Sequence, residues 1–402
     1  MLTIAFVDRI GSGLWASVSV LYFTFVSGLS ITQVGTLAAT AGALGIAGAP
    51  IGGRLADRFP LTRVLVTVQL LRALASFALL TTDRYALLLL FTAVGGCGDR
   101  AANVLTRLYA TRIAGPDRVR YQAVQRTVAN AGWALGGLTA AAALALGSTA
   151  AYRWLLAGDA LSFVASALLT LRCGEPRSHS RTVTTSKKAR PTTTPTGPWR
   201  DRTYLAYVAT DTVLFLDDAV FKVGLPLWIA HTGTAPHGLA PLLLVLNNVM
   251  VVALQVPLAR FGATTPAARA LLIPLSATFA LAGLAMAAST TGGTTATTLS
   301  LTAAAVLFTL AEMLHATIAW ELSVALASDT AQGAYLGVHG LAQAAQRSIG
   351  PLAVTTAIAT GPLGWLTFGT AIAVTCTIQH RLVRDRLTQK ALSVPSITVS
   401  EH

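Results

Sequence analysis

Charge is what this chain has least of. Only 11% of its 402 residues are Asp, Glu, Lys or Arg, while 53% are hydrophobic. A soluble protein carries about 25% charged residues, so a water-soluble globule is excluded. Cysteine is equally scarce. Cys97, Cys173 and Cys376 show no metal spacing and no paired framework, and two of them fall inside apolar runs, so they read as small apolar fillers. A Walker loop, a zinc motif, a nucleophile elbow and a dinucleotide fingerprint are all missing. ATP-driven transport and ordinary catalysis are left without support, and neither a metal nor a bound cofactor is expected. Acids are the rarer sign, 16 against 29 Lys and Arg. In a soluble chain the resulting net charge of +13 would point to nucleic acid; here the positions of the basic residues decide.

What is present is a succession of apolar runs of about 20 residues, the length that crosses the hydrocarbon core. They lie at 2–27, 33–56, 64–81, 85–111, 121–146, 153–172, 203–230, 238–259, 269–289, 297–326, 334–358 and 364–381. Twelve spans with a cytoplasmic N-terminus put Arg58, Arg63, Arg112, Arg118, Arg120, Arg260 and Arg269 in inner loops, with Arg381, Arg384, Arg386 and Lys390 in the tail. Only Arg84 and Arg153 fall outside, an asymmetry that follows the positive-inside rule and accounts for the basic charge without nucleic acid. Met1 leads into the first run without a basic n-region, so no cleavable signal peptide is expected. The expected organisation is a six-helix bundle over 1–172, a cytoplasmic linker over 173–202, a second bundle over 203–381 and a cytoplasmic tail over 382–402. The linker is rich in Ser, Thr, Pro and basic residues, suited to lying against anionic headgroups. The halves echo each other: Gly35 to Asp57 spans the same interval as Gly238 to Arg260, and Tyr335-Leu336-Gly337-Val338 answers Tyr121-Gln122-Ala123-Val124.

Between the second and third runs stands Gly53-Arg54-Leu55-Ala56-Asp57-Arg58-Phe59-Pro60-Leu61-Thr62-Arg63. Charges packed into so short a link belong at a water interface. The stretch resembles the loop between the second and third helices of the major facilitator superfamily, G-x-L-A-D-R-x-G-R-[KR]. It matches at Gly53, Leu55, Ala56, Asp57 and Arg58, and departs where Pro60 replaces the second glycine and Leu61-Thr62 replace the basic pair. The resemblance implies an all-α membrane fold of two pseudo-symmetric six-helix bundles. It also implies a cytoplasmic gate at Gly53, Asp57, Arg58, Arg63 and Arg112, in which Asp57 is braced by Arg58, Arg112 or a facing helix N-terminus.

Polar residues inside the runs carry the functional expectation, because an ionised side chain at bilayer depth costs about 2.5 to 3.5 kcal/mol and must face water, a partner or a substrate. Asp8, Asp99, Asp217, Asp218 and Glu312 fall on spans one, four, seven and ten, which line the central cavity if the resemblance holds. Asp8 with Arg9, Asp99 with Arg100 and Asp218 with Lys222 read either as structural ion pairs or as transport groups. Asp217 and Glu312 have no cation at i±3 or i±4 and are the first candidates for proton coupling, with Asp8 and Asp99 behind them. His315, one turn from Glu312, reads as a proton relay or as a packing residue. Asp99, Asn103 and Arg107 recur at i, i+4, i+8 and form one polar stripe; Asp211, Asp218 and Lys222 are expected to form another. Arg100, Asn103, Arg126, Asn130, Trp133, Gln343 and Arg347 are the candidates for contact with substrate. Gly132-Trp133-Ala134-Leu135-Gly136-Gly137 resembles the antiporters' G-x-x-x-G-P-x-x-G-G motif with Trp133 at the proline, or simply permits close helix contact.

The function implied is secondary transport of a small, partly apolar molecule by alternating access, coupled to a proton gradient and similar to the drug-efflux branch. The alternatives are a nutrient importer of the same fold and a transport-inactive scaffold or receptor. Expected partners are the substrate, protons and membrane lipids, with the protein a monomer. The Ala-, Arg- and Thr-rich composition points to a high-GC bacterium and its plasma membrane.

Overall fold

A computed structural model describes residues 1–144, 149–176, 197–232, 235–236, 239–328 and 330–392. Most of the basic linker (177–196), Gly238 of the internal repeat and the end of the tail (393–402) lie outside the described residues. Helix is the only regular secondary structure among those described. In hydrocarbon each segment has to satisfy its own backbone groups, which a helix does and an isolated strand does not.

The chain divides into two compact units. The first comprises Met1–Gly197 and Ser328–Leu341. It holds α1 (Leu2–Phe25), α2 (Ile31–Gly45), α3 (Gly48–Arg58), α4 (Leu61–Leu79), α5 (Tyr85–Ala114), α6 (Arg118–Leu144) and α7 (Thr149–Leu171), with the first turns of a later helix, α14 (Gln332–Ala359). The second comprises Pro198–Ala327 and Ala342–His402. It holds α8 (Arg202–Leu214), α9 (Leu225–Thr232), α10 (Leu239–Ala259), α11 (Thr265–Ala270), α12 (Leu272–Ala288), α13 (Thr294–Ala325), the rest of α14, and α15 (Pro362–Leu392). Taking α2 with α3, α8 with α9 and α11 with α12 as single interrupted spans gives twelve among the described residues. Six are apolar and long enough to cross a membrane by length and hydropathy alone, among them Leu61–Leu79, Ala150–Leu171 and Thr294–Ala325. By contrast α5 is diluted by Asp99, Arg100, Asn103 and Arg107.

Local chemistry sets the ends of these helices. Gly28 takes a φ of 68° after α1, and Ser30 then opens α2 with a capping box: its hydroxyl accepts the Gln33 N–H at 3.3 Å, and Gln33 Oε1 accepts the Ser30 N–H at 2.9 Å. Asp201 caps α8 through the Tyr204 N–H at 3.1 Å and is bound from α15 by Arg386 at 2.5 Å. α15 continues to Leu392, past the apolar run that ends at 381, and Arg386 ties this extension to Asp201. Span seven departs furthest from regularity. Between α8 and α9 the chain makes a three-residue turn, Asp217–Ala219, and then a π-helix, Val220–Gly224.

The same pairings build both units. In the first, α4 packs against α5 and α7, and α2 against α5; in the second, α12 packs against α13 and α15, and α10 against α13. This is the internal repeat in three dimensions. Where α12 meets α15, Gly283 and Gly369 face each other so closely that a Cβ on Gly283 would stand 2.6 Å from the Trp365 carbonyl oxygen. At the corresponding contact of α4 with α7 the first unit has polar residues instead.

Candidate functional site

Four helices of the first unit bring polar side chains to one place. Arg72 of α4 is only 3% exposed. Its Nη1 donates to Asp8 Oδ1 of α1 at 2.6 Å and to Gln69 Oε1 at 2.9 Å, and its Nη2 reaches Asp99 Oδ1 of α5 at 3.3 Å. Its Cζ lies 3.9 Å from the centre of the Phe163 ring of α7. Gln69 Nε2 donates to Asp8 at 3.2 Å, and Asn103 Nδ2 donates to the Asp99 carbonyl at 2.9 Å while its Oδ1 accepts from Arg9. On α7 Asp159, 2% exposed, accepts the Ser76 hydroxyl at 2.9 Å through Oδ2. Buried charge persists only when paired and hydrogen-bonded in this way.

The network adds a partner that the sequence did not single out. An Asp8–Arg9 and an Asp99–Arg100 pair were one of two readings of the sequence; in the structure both acids reach Arg72 of a neighbouring helix. Adjacent residues on a helix point roughly 100° apart and do not face each other, whereas an arginine on a neighbouring helix can reach both acids. Arg9 turns to Asn103, and Arg100 donates to the Gly96 carbonyl at 3.4 Å. Arg72, Gln69, Ser76 and Asp159 were all missed. Their signal was there in spacing: Gln69, Arg72 and Ser76 fall at i, i+3 and i+7, as do Asp159, Ser162 and Ser166.

A second arrangement sits at the charged loop. Asp57 Oδ1 accepts the Gly333 N–H at 2.9 Å and Oδ2 the Ala334 N–H at 2.7 Å, so its carboxylate closes the N-terminus of α14 where the backbone donors point. Arg112 Nη2 stands 3.8 Å from the same carboxylate. Gly53 permits the approach, because a side chain there would run into the Gly333 carbonyl. Arg58 and Arg63 are exposed. The departure at Pro60-Leu61-Thr62 has a counterpart: Glu175 accepts the Leu61 N–H at 2.6 Å and the Thr62 N–H at 2.9 Å, capping α4 from the far end of the unit's sequence. One turn further along α14, Arg107 Nη1 donates to His339 Nδ1 at 3.0 Å, completing the Asp99-Asn103-Arg107 stripe.

The second unit has its own buried network. Asp211, with 0% exposure, accepts His315 Nε2 at 3.0 Å and Gln379 Nε2 at 3.3 Å. His315, placed in sequence beside Glu312, thus has Asp211 as its Nε2 partner. Glu312 Oε2 accepts Asn247 Nδ2 at 2.9 Å, and the same amide lies 3.1 Å from Thr309 Oγ1. Asp217 is buried in the turn that interrupts span seven, while Asp218 and Lys222 form an exposed i, i+4 pair at 2.7 Å. The expected stripe of Asp211, Asp218 and Lys222 does not form, because the turn and the π-helix change the helical phase between Asp211 and Lys222.

The remaining candidates are dispersed. Arg126 and Asn130 are half-buried on α6, Trp133 is 43% exposed, and Gln343 and Arg347 are exposed on α14. Gly132 and Gly136 serve helix contact: a side chain on Gly132 would meet the Phe6 carbonyl of α1 at 2.7 Å, and one on Gly136 would run into that of Ile10.

The sequence model of the Major Facilitator Superfamily matches residues 1–351. No curated protein sequence matches the chain. Among solved structures, a bacterial homologue of the iron transporter ferroportin, in an outward-facing state, superposes with a TM-score of 0.70 at 14% identity, over 96% of this chain and 98% of that one. The human organic anion transporter TETRAN gives 0.64 at 15% identity, over 95% and 98%. The E. coli fucose:proton symporter gives 0.63 at 15% identity, over 96% and 97%. At such identities the agreement is one of fold: twelve helices in two pseudo-symmetric bundles of six.

Proposed function

This chain belongs to the major facilitator superfamily and has the fold of a small-molecule membrane transporter, and from that premise we propose that it is a proton-coupled exporter working by alternating access. The observation that carries the coupling is the presence of acids inside membrane-crossing spans of both units: Asp8, Asp99 and Asp159 in one, Asp211, Asp217 and Glu312 in the other. A scaffold would gain nothing from bearing the insertion cost of such groups. A structural relative that is by name a fucose:proton symporter shows that the fold accommodates proton coupling. Trp133, 43% exposed, is the aromatic we assign to contact with a partly apolar substrate. Outward direction rests on the sequence resemblance to the efflux branch.

Everted vesicles loaded with an imposed pH gradient test this. Ethidium should accumulate in vesicles containing the protein, and nigericin should abolish the accumulation. Accumulation in right-side-out vesicles instead would make the protein an importer, and movement indifferent to the pH gradient would remove proton coupling altogether.

We also place both termini in the cytoplasm of a bacterial plasma membrane, on the distribution of arginine. A cysteine introduced at Thr82, in the turn between α4 and α5, is then labelled by an impermeant maleimide in intact cells, and one at Arg58 is protected. The opposite pattern would invert the topology.

A further inference from the structure

Three acids and two arginines meet in the first unit: Asp8, Asp99 and Asp159 against Arg72 and Arg9. Among these five groups the acids outnumber the arginines by one, in a region of low dielectric where a buried carboxylate needs a cation or donors to stay ionised. The three acids are not equivalent. Asp8 and Asp99 each accept directly from the Arg72 guanidinium, at 2.6 and 3.3 Å. Asp159 has only the neutral Ser76 hydroxyl on Oδ2, and its Oδ1 is buried without a hydrogen-bond partner.

Oδ1 also has a built environment. It lies beside Gly11 of α1, where a Cβ would stand 3.1 Å from it and would run into Ser162 Oγ. Glycine at this position keeps the space next to the oxygen clear, and Ser162 Oγ borders the same space. Besides Asp8 and Arg9 on α1 and Arg72 on α4, with Asp99 of α5 behind it, the helices packed against α7 carry Arg63 in the first turn of α4 and Arg118, Arg120 and Arg126 in the first turns of α6, Arg126 more than one turn before Gly132, the glycine beside Arg9; α7 itself carries Arg153 in its first turns.

We infer that Asp159, on the sixth span, is the acid that holds the exchangeable proton of this unit. The inference rests on the proton-coupled function proposed above and gives the proton a residue that the sequence did not single out. The step is a simple protonation: the carboxylate takes a proton from water on one side of the membrane and returns it to water on the other. With the proton on, Asp159 no longer competes for Arg72, which is left to Asp8 and Asp99. With the proton off, Arg72 faces three anions. The ties among α1, α4, α5 and α7 therefore change with one proton, which is what a coupled carrier needs.

The test has a spectroscopic arm and a transport arm, both on the full-length protein. In proteoliposomes near neutral pH, infrared difference spectra should show the carbonyl stretch of a protonated carboxylic acid, displaced by deuteration. Asp159→Asn should remove this band, Asp159→Glu should retain it, and Ser76→Ala should shift it without removing it, since Ser76 donates to the same carboxyl. Should Asp159→Asn fail to fold, the Ser76→Ala shift decides by itself. A band that survives Asp159→Asn, or one indifferent to Ser76→Ala, overturns the assignment. In everted vesicles Asp159→Asn should lose pH-driven uphill movement of ethidium, by at least tenfold, yet keep downhill exchange, and Asp159→Glu should recover part of the loss. An Asp159→Asn variant that still builds the full gradient also overturns it. If the unaltered protein builds no gradient, the proposed function fails while the infrared band still decides whether Asp159 holds a proton.

Discussion

Arg72→Met is expected to remove most of the folded protein from the membrane. The side chain is fully enclosed and is the ion-pair partner of both Asp8 and Asp99, so methionine fills much of its volume while leaving two carboxylates without their cation. Breaking a buried ion pair by removing one partner destabilises by about 3 to 5 kcal/mol, because the other charge stays where it is. The loss should be partly reversed by Asp8→Asn in the same chain, which removes one stranded anion and leaves an amide that Gln69 can still bond. Arg72→Lys should fall between, since an ammonium is a single point of charge and cannot present two donors in a fixed fork to Asp8 and Asp99. Fluorescence-detected gel filtration of tagged variants, followed by thermal melting of those that survive, measures the whole series. An Arg72→Met protein that melts with the parent would mean that the cluster contributes nothing to folding.

The second large effect is expected at Asp57, and it should appear in transport rather than in stability. Its two oxygens accept the Gly333 and Ala334 N–H groups, and its charge faces both the positive end of α14 and Arg112. Asparagine offers one acceptor oxygen and no charge, so one backbone donor and the favourable dipole term are lost, together worth about 1 to 2 kcal/mol. If closing this contact is part of each transport cycle, as the resemblance implies, that loss becomes about a tenfold fall in ethidium transport. The melting temperature should barely move, because the α3 and α5 packing around the loop is untouched. Asp57→Asn running at the rate of the parent would show that the contact takes no part in the cycle.

How much of this was legible in sequence depended on whether a partner was near in the chain. The spans and the signature loop were readable, because apolar run length and a short charged motif are local properties. The Asp99-Asn103-Arg107 stripe was readable too, since one helix carries all three at a fixed period. The Asp8–Arg72–Asp99 network was not: its members come from three helices, and local spacing pairs Asp8 with Arg9 and Asp99 with Arg100, neighbours that a helix turns apart. Asp159 has a local signature in the spacing of Asp159, Ser162 and Ser166, but its donor Ser76 is 83 positions away, so the pairing is not readable from spacing. The same distance hid Glu175, which supplies at α4 the cap that Pro60-Leu61-Thr62 lack. His315, read as a proton relay or a packing residue, also has a partner that spacing does not give. Its nearest acid in sequence was Glu312, yet its Nε2 partner is Asp211, carried by another helix.

The π-helix at Val220–Gly224 bears on how this chain should be compared with any other. A π turn holds one residue more than an α turn, and one residue rotates everything beyond it by about 100°. Asp211 on one side and Trp228, which donates to Ser289 at 2.8 Å, on the other therefore cannot both be superposed on an unbroken span seven without a gap of one position. Where that gap is put decides which of Asp217 and Asp218 inherits a role defined in a relative. One of the two is buried and the other is exposed beside Lys222. An alignment drawn without the gap would exchange an interior acid for a surface one, and no measure of overall similarity would reveal it.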